Sequence, residues 1–229
     1  MLTLLLILYI RRYGRNQGAV SFLNLVSDFI HRRGRHLIIF LLLFLSLTVT
    51  MQGQRIQRTY QAMHNGKEVG EMVFTQEASN NIVNYNLVSS IAATMLFRIT
   101  VQSNEEASFE NESLVQSSIH RKVNGQVKLN HAISRQKDGY FIQKKSSAEK
   151  LNLPEISFNI LKLYAQEPFR IREVFSDSYS RMISISQVAA DCYAIRLPNG
   201  TTCRYYYKDG ICTRMVTEGS LYTISFNLK

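Results

Sequence analysis

From Gln54 onward the chain reads as short runs in which apolar and polar residues alternate, cut by turn dipeptides. Asn65-Gly66 separates residues 56–64 from 67–76, Asn80-Asn81 precedes 82–89, and Asn124-Gly125 separates 114–123 from 127–134. Asp138-Gly139, Pro198-Asn199-Gly200, Asp209-Gly210 and Glu218-Gly219 follow. Asn-Gly and Asp-Gly supply the positive φ that tight hairpins require, so each marks a reversal between β-rich runs. The F-R-I-T-V run at residues 97–101 alternates as a strand with one wet face does. About ten or eleven strands result, mostly antiparallel neighbours, because such short connections permit nothing else. The expected fold class is mainly β: a single curved antiparallel sheet, or unclosed β-barrel.

One stretch departs from the alternation. Between Pro154 and Pro168, Ile156, Ile160 and Leu163/Tyr164 recur at the i, i+4, i+7/8 spacing of an amphipathic helix, with Phe158 and Leu161 widening the apolar side. Pro154 suits a first helical turn, Glu155 suits the positive end of the helix dipole, and Pro168 ends the pattern. The spacing predicts one short helix at about 155–165. Flanked by strands on both sides, it needs a sheet to cover or a half-barrel to plug. Ile156, Phe158, Ile160, Leu161 and Tyr164 are therefore candidates for the wall or plug of an inner cavity.

The last four strands are registered by their turns. A three-residue loop at Pro198-Asn199-Gly200 pairs Leu197 with Thr201, Ile195 with Cys203 and Tyr193 with Tyr205. A similar loop at Lys208-Asp209-Gly210 pairs Tyr207 with Ile211, Tyr205 with Thr213 and Cys203 with Met215. A two-residue turn at Glu218-Gly219 sets Met215 against Tyr222, Thr213 against Ile224 and Ile211 against Phe226. Each step keeps one face apolar, from Tyr193 and Ile195 through Tyr205, Tyr207 and Ile211 to Phe226, and this adds Tyr205 and Tyr207 to the candidate wall. Arg204, Lys208, Arg214 and Glu218 fall on the other face. In this register Cys203 faces the apolar side while Cys192 and Cys212 face outward from strands ~9–10 Å apart. That exceeds the ~7 Å Cα separation a disulfide spans, so no disulfide is expected.

Composition adds an address. The chain has 229 residues, 45% of them hydrophobic, and a net charge of +10. Residues 1–54 hold six Arg against one Asp, so half of that charge sits at the N-terminus. There, His31-Arg32-Arg33-Gly34-Arg35-His36 precedes the apolar run LIIFLLLFLSLTVT at residues 37–50, the n-region and h-region of a secretory signal. The run is shorter than the ~20 residues of a spanning helix. Its cleavage zone lacks A-x-A, which leaves two alternatives: a cleaved signal with a periplasmic or secreted product, or an inner-membrane anchor at residues 37–50. Ahead of it, residues 1–36 are too long for an ordinary signal and form an N-terminal extension, consistent with a translation start further downstream. Residues 37–53 are then the signal region and residues 54–229 the domain. The remaining basic residues form no tract with aromatic or Gly-rich interleaving, so nucleic acid is not an expected partner. Membrane contact is expected only through the N-terminal apolar segment.

No motif for chemistry emerges. His64, His120 and His131 show no metal-ligand spacing and read as surface histidines, so neither a metal nor a cofactor is expected. Glu105, Glu106, Glu110 and Glu112 cluster beside a turn without the spacing of an EF-hand loop and read as solvated charges. Tyr205-Tyr206-Tyr207 alternates faces and reads as core plus one exposed ring. There is no G-x-S-x-G elbow and no phosphate-cradling Gly loop, and no catalytic residue is assigned.

Several segments resemble a family of uncharacterised secreted envelope proteins of Gram-negative bacteria. They are Tyr60 with Asn65-Gly66-Lys67-Glu68-Val69-Gly70; Leu96-Phe97 with Ile99; Phe109-Glu110-Asn111-Glu112-Ser113-Leu114; Leu163-Tyr164 with Glu167-Pro168; Val174-Phe175-Ser176; and Leu197-Pro198-Asn199-Gly200 leading to Tyr205-Tyr206-Tyr207-Lys208-Asp209-Gly210. The resemblance spans roughly residues 55–229 and is to a domain of unknown function, so it implies a fold and brings no site residues. More distantly such proteins resemble periplasmic lipoprotein carriers, unclosed barrels with helical cover, although hairpins stand here where the carriers have a leading helix. The function expected is a non-enzymatic exported protein holding an apolar or lipid-like ligand inside a half-barrel. A packed barrel that meets an envelope protein partner through its surface is the alternative, and a hydrolase the third class.

Overall fold

A computed structural model describes residues 53–94, 98–144 and 147–229. The expectations for the leader, and Phe97 at the start of F-R-I-T-V, lie outside the described residues. Eight strands come first: β1 (Gln54–His64), β2 (Lys67–Ser79), β3 (Ile82–Thr94), β4 (Arg98–Glu110), β5 (Ser113–Val123), β6 (Gln126–Gln136), β7 (Gly139–Lys144) and β8 (Ser147–Leu151). After a one-turn helix, α1 (Lys162–Ala165), come β9 (Glu173–Ser176), β10 (Arg181–Ala189), β11 (Cys192–Arg196), β12 (Thr202–Lys208), β13 (Ile211–Glu218) and β14 (Thr223–Leu228).

All fourteen strands belong to one antiparallel sheet ordered β8-β7-β6-β5-β4-β3-β2-β1-β14-β13-β12-β11-β10-β9. The first and last strands sit side by side in its middle, with Tyr60 opposite Leu228 and Ala62 opposite Phe226. The edges are thus β8 and β9, which are consecutive in sequence, and residues 152–172 pass from one edge to the other. The sheet is unclosed and mainly β, as its alternation predicts. Fourteen strands replace the ten or eleven expected, and those the pattern does not announce include the polar β8 and the four-residue β9. Their strand state comes from ladder partners rather than from pattern.

Three of the hairpin dipeptides perform as their chemistry requires. Asn65 and Gly66 have φ of 50° and 75°, Asn124 and Gly125 49° and 76°, Asp209 and Gly210 52° and 74°, the paired left-handed residues of a type I′ turn. Gly70 answers a different need: a Cβ there would lie 2.1 Å from the Ser90 carbonyl oxygen, at φ +151°.

Two expectations are corrected. Asp209-Gly210 closes a two-residue hairpin with Lys208 opposite Ile211, and a bulge beyond it sets Tyr207 against Cys212 and Tyr205 against Met215. The β13–β14 connection runs through four residues, closed by the Gly219 N–H to the Tyr222 carbonyl at 2.9 Å, so Met215 faces Phe226. Cys212 therefore turns inward and is fully buried, whereas Ile211 turns outward with 37% exposure. All three cysteines are free thiols.

The second correction concerns the helix. Only Lys162–Ala165 is helical, while residues 152–158 run without regular structure and Asn159 makes a parallel bridge to Phe175 of β9. The apolar spacing is real, but the peptide groups of Ile156, Phe158 and Ile160 bond to sheet groups instead of to their own i+4 neighbours. Backbone satisfaction by the surrounding sheet outweighs helix propensity over so short a segment.

Candidate functional site

Within the 152–172 connection the stretch from Ile156 to Tyr164 lies inside the curled sheet, held by backbone bonds to its walls. The Ile156 carbonyl accepts from the Leu114 N–H at 2.8 Å, and the Ile156 N–H donates to the Tyr140 hydroxyl at 3.2 Å. The Phe175 N–H donates to the Phe158 carbonyl at 2.8 Å, and the Ile160 N–H donates to the Phe175 carbonyl at 3.0 Å. Further along, the Tyr207 hydroxyl donates to the Leu163 carbonyl at 2.7 Å, and Arg58 donates to the Tyr164 carbonyl at 2.5 Å. Unpaired peptide groups in an apolar interior cost several kcal/mol in the worst case, about 2–7; here the wall supplies their partners.

Of the seven residues proposed as wall or plug, Ile156, Phe158, Leu161, Tyr164, Tyr205 and Tyr207 are buried, and Ile160 packs half-buried against them. Tyr164 is the hub: its ring centroid lies 5.7 Å from Tyr60, 6.0 Å from Phe74 and 5.7 Å from Tyr205. Burial pushes the Tyr164 phenol well above its ordinary range. Beside it the Lys162 ammonium stands 3.8 Å from the Phe109 ring centroid and donates to the Ser157 carbonyl at 2.6 Å. Burial lowers that ammonium to about 8. Burial likewise pushes the Cys212 thiol up to about 12, which leaves it protonated and unreactive at neutral pH.

Beyond the plug, the inner face of β3–β6 changes character. One row across these strands is Leu87, Glu105, Ile119 and His131; the next is Ser89, Ser103, Arg121 and Leu129. Arg121 meets Glu105 at 2.5 Å and donates to the Ser103 hydroxyl at 3.2 Å, while Ser103 donates to Glu105 at 3.1 Å. The Glu105 side chain is only 13% exposed and that of Arg121 31%. An inward ion pair this dry is held at a desolvation cost, and such pairs are weak devices for stability. Past this polar belt the row Ile91, Val101 and Val123 is partly buried and apolar, followed by Ala93 opposite Ile99.

A second polar group ties the belt to the plug. His131 donates from Nε2 to the Asp177 carbonyl at 2.8 Å, and the Asn159 amide donates to Asp177 Oδ2 at 3.3 Å. Ser117 faces this carboxyl from β5 without closing a good bond, and Asp177 Oδ1, Ser117 Oγ and Ser176 Oγ are buried with no partner among the described residues. Burial, reinforced by the Glu105 charge and opposed by Ser117 and Asn159, pushes the Asp177 carboxyl up to about 7.

His131 is thus not a surface histidine, and Glu105 is not a solvated charge. Both lie where the alternation of β4 and β6 turns them inward. The signal that could have found them is parity: Glu105 keeps the parity of Ala107 and Phe109, and His131 that of Ile133. Nothing local marks Asp177. The arrangement holds donors and acceptors beneath an apolar rim.

Comparison with curated proteins finds no match. Among solved structures the chain is similar to a β-barrel-like protein of domain of unknown function DUF1849 from Brucella abortus, with 11% identity, 76% of this chain and 95% of that one covered, and a TM-score of 0.48. The family model described as domain of unknown function DUF6134 matches residues 60–229, from the middle of β1 to the end of the chain. The chain belongs to the DUF6134 family.

Proposed function

We propose that this protein is exported to the cell envelope and works without catalysis, holding one lipid-like amphiphile inside its unclosed sheet. The observation that supports this most is the inner face of β3–β6, where a polar belt of Glu105, Arg121, Ser103 and His131 lies under the apolar row Ile91, Val101 and Val123. A polar head bonded to the belt leaves an acyl chain against that rim. Ligand sites of this kind are mostly apolar with a few convergent polar groups. Ile156, Phe158, Leu161 and Tyr164 then form the floor of the site and close one end of it. Export rests on the arginine-rich segment and apolar run at residues 31–50, cleaved or retained as an inner-membrane anchor.

The dense packing around Tyr164 favours a second reading, a filled barrel that meets an envelope partner through its surface. Native mass spectrometry of the protein purified without detergent from its own envelope fraction separates the two. An adduct of lipid mass that disappears in Val101→Glu supports the carrier. A bare mass, with a stable protein partner in pull-downs, sinks it in favour of the filled barrel.

A further inference from the structure

The outer face of the same strands holds a groove of about 560 Å³. Its lining follows the sheet register. One row crosses six strands without a break: Arg55, Glu77, Asn84, Ser108, Gln116 and Ser134. The adjacent row is Thr75, Asn86, Glu106, Ser118 and Ala132. With neighbouring strands ~4.8 Å apart, the first row extends ~24 Å, the reach of a short oligosaccharide.

We propose that this groove binds a neutral, polyhydroxylated chain, a glycan laid across β1–β6. Amide and hydroxyl side chains combine donor and acceptor in one group, which matches the paired hydroxyls of a sugar. Asn fits a pleated sheet surface poorly, so Asn84 and Asn86, one in each row, forgo β-propensity. The amides are also held in fixed orientation. The Ser108 hydroxyl donates to Asn84 Oδ1 at 2.7 Å, leaving the Asn84 NH2 for a guest. The Asn86 NH2 donates to Asn104 Oδ1 at 2.7 Å, leaving the Asn86 carbonyl.

Other occupants fit less well. Strands β1–β6 each have a neighbour on both sides, so no backbone edge is open for a peptide strand to extend the sheet. The lining holds one arginine, already paired with Glu77 at 3.3 Å, against two glutamates, a balance that repels a polyanion. The two rows carry seven amide or hydroxyl side chains, three charged ones and a single apolar one, Ala132, a poor match to an acyl chain.

The test titrates the full chain with chitohexaose, cellohexaose and maltohexaose, read by saturation-transfer NMR and calorimetry. Ser118→Arg and Gln116→Arg place bulk in the middle of the groove from outward-facing positions, and thermal melting checks that each stays folded. We expect at least one hexasaccharide to bind, and each arginine variant to weaken it by about tenfold or more. Absence of transfer with all three sugars at ~1 mM overturns the proposal, as does equal binding by a folded arginine variant. Binding of a neutral Asn/Ser-rich peptide in place of every sugar overturns it too.

Discussion

Strands β11–β14 and strands β3–β6 line the same interior, yet they bury different chemistry. In β11–β14 the inward positions Tyr193, Ile195, Cys203, Tyr205, Tyr207, Cys212, Met215, Ile224 and Phe226 are buried, and Thr217, opposite Cys203, is the polar side chain among them. In β3–β6 the inward positions mix Leu87, Ile119 and Ile133 with Ser103, Glu105, Arg121 and His131. The first limb is a packing surface for the plug, its tyrosines filling volume while Tyr207 satisfies a plug carbonyl. The second keeps an ion pair and a histidine indoors, which packing alone does not require. Charged side chains are concentrated on the second wall, which is where the proposed guest has something to recognise.

The largest effect should come from the plug that the packed limb holds. Tyr164→Ala removes the ring shared by Tyr60, Phe74 and Tyr205, and a cavity of that kind costs about 3–5 kcal/mol in chemical denaturation. A loss under ~1 kcal/mol would show that the interior is already loose, and the contrast between the limbs would fail.

The next effect is set by pH. The Asp177 carboxyl, ordinarily near 3.8, is raised to about 7 in the fold, so the native state holds its proton where the unfolded chain has released it. Stability from this group is full below 3.8 and is lost as pH rises through about 7, a decline of about 4 kcal/mol at most. Lys162, lowered from 10.5 to about 8, acts oppositely: its contribution is full above 10.5 and is lost as pH falls through about 8. Between them they predict a stability minimum at about pH 7–8. Asp177→Asn should flatten the acid side of that curve and exceed the parent in stability at pH 8. A curve with the same slope in Asp177→Asn would show that the carboxyl is not the buried acid.

A smaller effect tests the mixed wall directly. Arg121→Met leaves Glu105 half-dry without its partner and should cost about 1–3 kcal/mol, whereas adding Glu105→Leu should recover most of that loss. If the double variant stays as weak as the single, the pair is needed for stability and the case for a binding role weakens. The smallest effect belongs outside. Ser118→Ala should change stability by no more than about 0.5 kcal/mol, since its side chain faces the groove rather than the core.

How much of this was legible beforehand differs between the limbs in the same way. In the packed limb, alternation alone named Tyr193, Ile195, Tyr205 and Tyr207 as inward, and the first hairpin register held. It failed after Lys208, because a bulge is one extra residue and leaves no mark in an apolar/polar pattern. In the mixed limb the same alternation was present, but Glu105 and His131 looked like surface residues by type. The plug was visible as an apolar segment between prolines, but the helix expected over 155–165 shrinks to Lys162–Ala165, since helix and extended chain compete there for bonds to groups far away in sequence.

The amino-acid sequence by itself determined the local reversals and the apolar faces, because turn φ angles and period-2 alternation are properties of a few adjacent residues. It determined, too, that one apolar segment would break the run of strands. Only the tertiary structure decided that β1 would pair with β14, that β8 and β9 would be left as edges, and that residues 156–164 would run inside as bonded, mostly non-helical chain. The same holds for the meeting of Asp177, Asn159, Ser117 and His131. Those residues come from the plug, the β9–β10 corner and two strands of the other limb, and what brings them together is curvature accumulated over a whole sheet.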